Sequence, residues 1–161
     1  MSTLFVDTIN EKTSGNGIAI PGHVVQIQTA TATEVQSAFS SAVDVITGTI
    51  TPKYSDSKIL VSVNTLTHVD AAGSYWNLSL MEQVGSGTAT TARTVHSALG
   101  YPSAAYPGGT RTNTGTHILR TPNTTSQITY TLRVVRASGS GDTLRVNYSS
   151  TGDIVMIEIA Q

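Results

Sequence analysis

Hydrophobic and polar residues alternate along most of this chain with a period of two, the spacing of a strand and not of a helix. The stretch KILVSVNTLTHV puts Ile59, Val61, Val63 and Val69 on one face, with Thr65 and Thr67 in the gaps. Its other face carries Ser62, Asn64 and His68, but also Leu60 and Leu66. YWNLSLMEQV aligns Trp76, Leu78 and Leu80, SQITYTLRVVRA aligns Ile128, Tyr130, Leu132 and Val134, and TLRVNYS aligns Leu144, Val146 and Tyr148. VDVITGTITP, ATTARTVHSAL, THILRTP and IVMIEIAQ complete the set, and KYSDS, DAAGS, GSGT, SGSGD and STGD supply turns between strands. From Val43 onward this gives about eight short strands, the pattern of an all-β, antiparallel, jelly-roll-like sandwich.

The last strand repeats a puzzle set by the two leucines. Val155, Ile157 and Ile159 read as its core face, yet Ile154 and Met156 lie on the other face beside Glu158. Apolar residues on both faces imply burial on both sides. In a lone sandwich only one face is core, so the second face of these strands needs a partner or a covering loop.

Outside the regular strands, TLFVDTI (residues 3–9) is a short strand candidate, EKTSGNG is a turn, and IAIPGHVVQIQT is an extended piece broken at Pro21 and Gly22. The composition shift divides an N-terminal arm, residues 1–22, from a head, residues 23–161. Residues 31–42 read as loop with at most one helical turn, because serine and threonine prefer caps and turns. Residues 100–115 read as an irregular loop. Its Tyr101, Tyr106, Arg111 and Asn113 are candidates for holding a partner or a sugar, and the alternative is a loop packed over a sandwich end.

Composition narrows the function. A chain of 161 residues is one domain's worth and buries roughly 70% of its unfolded surface. Charged residues are 12% of the chain, where about 25% is usual. Threonine, serine and glycine make up the difference, which suits a surface that packs against copies of itself. The net charge of −1 and the lack of a basic patch argue against nucleic acid. No apolar run approaches the roughly 18 residues of a membrane helix, and the N-terminus is no signal peptide, so a soluble protein made in a cytoplasm is expected. Cysteine is absent, and His23, His68, His96 and His117 are scattered without ligand spacing, so neither metal nor cofactor is expected. Asp56, Asp70, Asp142 and Asp153 read as turn or strand-end residues, with Asp44 the exception. Two carboxylates such as Glu82 and Glu158 could converge in space as a glycosidase pair, and nothing in the sequence favours it.

STLFVDTINEKTSGNG, ITPKYSDSKILVSVN and the closing block from Thr121 to Gln161 together resemble structural proteins of marine and freshwater tailed bacteriophages, cyanophages included. The resemblance implies a fibre, spike or decoration of the virion with a β-rich trimeric head, made in the host cytoplasm and carried on the virion surface. It implies anchoring on another virion protein (capsid, neck or tail) through an arm bearing Leu4, Phe5, Val6 and Ile9. If three sandwiches pack about an axis, Leu60, Leu66, Ile154 and Met156 become interface residues. The alternatives are a tail-fibre head that reads host surface glycans through its loops, and a carbohydrate-active enzyme on the same scaffold.

Overall fold

In a computed structural model of the chain, residues 20–69, 73–100, 110–139 and 143–161 are described. They form ten strands: β1 Val24–Ala32, β2 Val35–Ser37, β3 Val43–Ile50, β4 Lys58–Val69, β5 Tyr75–Val84, β6 Thr90–Gly100, β7 Thr110–Arg120, β8 Ile128–Ser138, β9 Leu144–Val146 and β10 Gly152–Ile159. One sheet, sheet A, runs β1-β10-β4-β9-β2, with β7 on the other side of β4; sheet B runs β3-β8-β5-β6. All pairings are antiparallel.

β9 and β10 both lie along the same side of β4, β9 against Thr67–Val69 and β10 against Lys58–Asn64. They are one strand interrupted by residues 147–151. β1 and β2 are likewise one strand, paired with β10 and β9 and interrupted at Thr33 and Glu34. Counting each interrupted strand once gives two four-stranded sheets joined as two Greek keys, which is a jelly roll.

The inward faces follow the alternation. Ile59, Val61, Val63, Trp76, Leu78, Leu80, Ile128, Tyr130, Leu132, Val134, Leu144 and Val146 are buried in one cluster. Trp76 satisfies its indole N–H by donating to the Ala38 carbonyl at 3.1 Å. Gly48 lets β3 approach sheet A closely: a Cβ there would stand 2.8 Å from Met156 Cε and 3.1 Å from Ala30 Cβ.

Several sequence expectations need correcting. Residues 31–42 hold the end of β1 and all of β2, and Phe39 reaches the core. Arg111 and Asn113 lie on β7 and not in a loop, because Thr110–Gly115 pairs with β4 along Thr114↔Thr65 and Thr112↔Thr67. Tyr148 leaves the line of Leu144 and Val146, since Asn147 takes a left-handed backbone, φ 60°. The faces of β10 are reversed. Ile154 and Met156 are wholly buried in the chain's own core, so they are not interface residues, and Val155, Ile157 and Ile159 are the half-exposed outer face. The reason is Glu158, which shares the inward face. Its carboxylate is wholly buried and accepts from the Lys53 N–H at 2.8 Å, the Tyr54 N–H at 3.2 Å and the Gln26 amide at 2.6 Å. A buried carboxylate with three donors closes the β3–β4 turn instead of marking the wet side.

Candidate functional site: the outer face of sheet A

The outer face of sheet A answers for the two leucines. Leu60 is paired with Ile157 on β10 and with Leu119 on β7, and Ile157 is paired with Ile27 on β1. Ile27, Ile157, Leu60 and Leu119 thus form one apolar row across four strands. Ile27 is 57% exposed and Leu119 is 52% exposed. Val24, opposite Ile159, extends the apolar area beyond the row, and Val155 extends it on the other side. Scattered apolar surface residues are normal, but an in-register row over four strands is a contiguous patch.

The same face has a second, polar end. On β4, His68 is eight residues from Leu60, roughly 26 Å along a strand. His68 pairs with Arg111 of β7 on one side and with Arg145 of β9 on the other. Tyr148 folds back over this row from the interruption between β9 and β10. Its ring centroid is 4.4 Å from that of His68, and the guanidinium carbons of Arg111 and Arg145 stand 4.8 Å and 5.4 Å from it. Arg111 also donates to the Tyr148 hydroxyl at 3.3 Å. Glu34 holds Arg145 at 3.5 Å and accepts from the Ser149 N–H at 2.9 Å.

The interruption that aims Tyr148 is tightly built. Asn147 is wholly buried; its amide donates to the Thr33 carbonyl at 3.0 Å, and its carbonyl accepts from the Thr65 hydroxyl at 2.7 Å. The sequence presents Asn147 only as part of a chance Asn-Tyr-Ser sequon. Its left-handed backbone and buried amide are set by tertiary contacts.

Of the residues singled out from sequence, Leu60 and Leu66 are on the outer face, half-buried, and Arg111 and Asn113 are exposed on β7 of the same sheet. Leu4, Phe5, Val6, Ile9, Tyr101 and Tyr106 lie outside the described residues. Sequence reasoning missed Ile27, Leu119, Arg145 and the partnership of His68 with Tyr148, all of which depend on register across strands.

Glu82 and Glu158 offer no glycosidase pair, because both carboxylates are buried and each is held by its own structural partners. Glu82 takes both arms of Arg120, at 2.9 Å and 2.7 Å, and the Tyr130 hydroxyl at 2.9 Å, tying β5 to β7 across the sandwich. Burial pushes the Glu82 pKa up, but the hydrogen bonds from Arg120 and Tyr130 and the charge of Arg120 outweigh it and hold the carboxyl below its ordinary 4.5. Burial, with Glu82 beside it, raises the Tyr130 phenol. A depressed carboxyl stabilises fully above its unfolded value and loses that contribution as pH falls through the folded value. The melting temperature is therefore expected to fall as pH drops below about 4.5, and Glu82→Gln to flatten that acid limb. At neutral pH the same change is expected to cost about 2 kcal/mol, with the partly solvated Arg120 end keeping it modest. Thermal melts of both proteins from neutral to acidic pH check this.

Among the described residues no group of histidines and carboxylates could hold a metal ion. No helix among them is long and apolar enough to cross a membrane.

No family model matches the chain, and no curated protein does. Solved structures do. The chain is similar to one in the structure of infectious bursal disease virus, Gx strain, with a TM-score of 0.57 and 14% identity over 87% of this chain. It is also similar to a chain of the infectious bursal disease virus VP2 subviral particle, with a TM-score of 0.52 and 16% identity over 84% of this chain. A chain of the T=1 particles derived from that virus matches over 98% of this chain, with a TM-score of 0.52 and 14% identity. What they share is the fold. The chain spans about a third of the length of the first two solved chains, 33% and 32%.

Proposed function

We propose that this chain is a structural protein of a virus particle: a homotrimeric surface spike or decoration of a tailed bacteriophage, joined to the particle through its N-terminal arm. The observation that carries the reading is the row Ile27–Ile157–Leu60–Leu119, an apolar stripe in full register on the outside of a finished sandwich. Copies of the chain packed through this face would bury it, and each leucine so buried is worth about 1.5–3 kcal/mol. Leu66 lies further along the same face of β4. The likeness to chains of virus particles supports a place in a virion.

The polarity of the fold supports attachment through the arm. β1 begins opposite Ile159, which pairs with Lys58, so the chain enters the sandwich through residues 20–24 at the Leu60 end. The row of His68, Arg111 and Arg145 lies at the other end of the sheet. That arrangement also favours the second reading, a receptor-binding head whose far end meets host surface glycans.

Removing residues 1–22 is expected to leave a folded head that no longer joins particles. Among the described arm residues, 20–22, the backbone tie to the sandwich is the Gly22 N–H donating to the Ala160 carbonyl at 2.8 Å, a small contribution beside the core. Electron microscopy of particles carrying the intact and shortened chains locates the protein and tests the anchor together. Normal occupancy by the shortened chain would place the anchor elsewhere, and a chain absent from particles altogether would end the virion reading.

A further inference from the structure

We propose that Arg111 and Tyr148, backed by His68 and Arg145, form a binding site for the carboxylate of an acidic sugar at the far end of sheet A. Arg111 is exposed, and its polar partner is the Tyr148 hydroxyl; among the described residues it has no carboxylate. The contact is therefore a positioning one. The ring of Tyr148 lies against the guanidinium at 4.8 Å and the hydroxyl accepts one of its N–H groups, which leaves the other donors of the planar fork unspent. The hydroxyl that accepts from Arg111 keeps its own proton to donate. Two kinds of donor are thus held together, one on the exposed Arg111 and one on the half-buried Tyr148, and a carboxylate is the group that such a fork and hydroxyl match.

The support is rigid. His68 is 6% exposed near the end of β4, between β7 and β9, and Tyr148 is carried by the buried Asn147. Arg145, engaged by Glu34, fills the other flank of the same ring. The contacts of Tyr148 with His68 and Arg111 are already made, which lowers the entropic cost of binding.

The surroundings favour a saccharide over a peptide. Gln36 continues the row beyond Arg145, Asn113 stands two residues from Arg111 on β7, and Ser149 and Ser150 are exposed beside Tyr148. These are amides and hydroxyls suited to sugar hydroxyl groups. The exposed apolar anchors that a docking peptide needs are at the opposite end of the face, on Ile27 and Leu119. The sugar's origin on a host surface rests on the virion reading; the binding chemistry does not.

The test is calorimetric titration of the purified full chain with oligogalacturonate, with a neutral malto-oligosaccharide of equal length, and with oligo-aspartate. The site predicts binding of oligogalacturonate that weakens with added salt, and none of the neutral sugar. Arg111→Ala is expected to lower that affinity about tenfold or more, Arg111→Lys to recover part of it, and Tyr148→Phe to lower it several-fold at an unchanged melting temperature. Absence of oligogalacturonate binding by the native chain, or undiminished binding by Arg111→Ala, would overturn the site. Oligo-aspartate bound as tightly would overturn the sugar and assign an acidic peptide. Repeating the titration on Leu60→Asp keeps this result separate from the assembly reading, because Leu60 stands eight residues along β4 from His68.

Discussion

Replacing Leu60 by aspartate is expected to convert the assembled protein into folded single subunits. Leu60 is the centre of the outer row, flanked by Ile157 and Leu119. Its side chain points away from the core that Ile59 and Val61 fill, so an aspartate there is solvated in a free subunit and leaves the sandwich intact. Between packed copies the same carboxylates would be stripped of water and brought near one another. That cost exceeds the few kcal/mol each leucine contributes. The matching change at Val63, which is 1% exposed, is the control: an aspartate in the core is expected to unfold the chain outright. Circular dichroism beside a mass measurement distinguishes the outcomes. A Leu60→Asp protein that keeps both its assembly and its melting temperature would mean that the row faces water.

The second large effect is expected at Gly152, where β10 begins after its interruption. A methyl group on Gly152 would collide with the side-chain carbonyl of Asn147 and come within 2.8 Å of Ile46 Cδ1. Asn147 has no room to yield, because its amide and carbonyl are spent on Thr33 and Thr65 and it is wholly buried. Gly152→Ala is therefore expected to destabilise the chain by about 2–4 kcal/mol through overpacking and a displaced buried amide. For a chain of this size that lowers the melting temperature by roughly 5–12 °C. Since Asn147 aims Tyr148, near-ultraviolet circular dichroism of the tyrosines is expected to change as well. An alanine protein as stable as the native one would show that the turn relaxes freely and does not fix the outer face.

Where the period of two was strong, the sequence was a faithful guide. The strands of Ile59 and of Trp76 have the bounds their alternation predicts, since inward apolar residues set both register and length. Two kinds of feature were not legible. Polar residues with buried partners reversed the reading: Glu158 looked like an outward marker on β10, while donors from distant segments hold it inside. Thr112 and Thr114 hid the first half of β7 for the same reason. Thr114 is 4% exposed, and Thr67 meets both residues by hydrogen bonds at the polar end of the interior. The outer face was legible only in part, because Leu60 and Leu66 advertised themselves on one strand while Ile27 and Leu119 join them only through register. The row of Arg145, His68 and Arg111 comes from three separate strands, and no local pattern announces it.

Copies of this chain are expected to assemble through the Leu60 row. Sedimentation velocity of the purified protein at micromolar concentration, with the Leu60→Asp protein alongside, tests this most directly. A single trimeric species is expected for the native chain and a folded monomer for the variant; a native chain that sediments as a monomer would rule this assembly out.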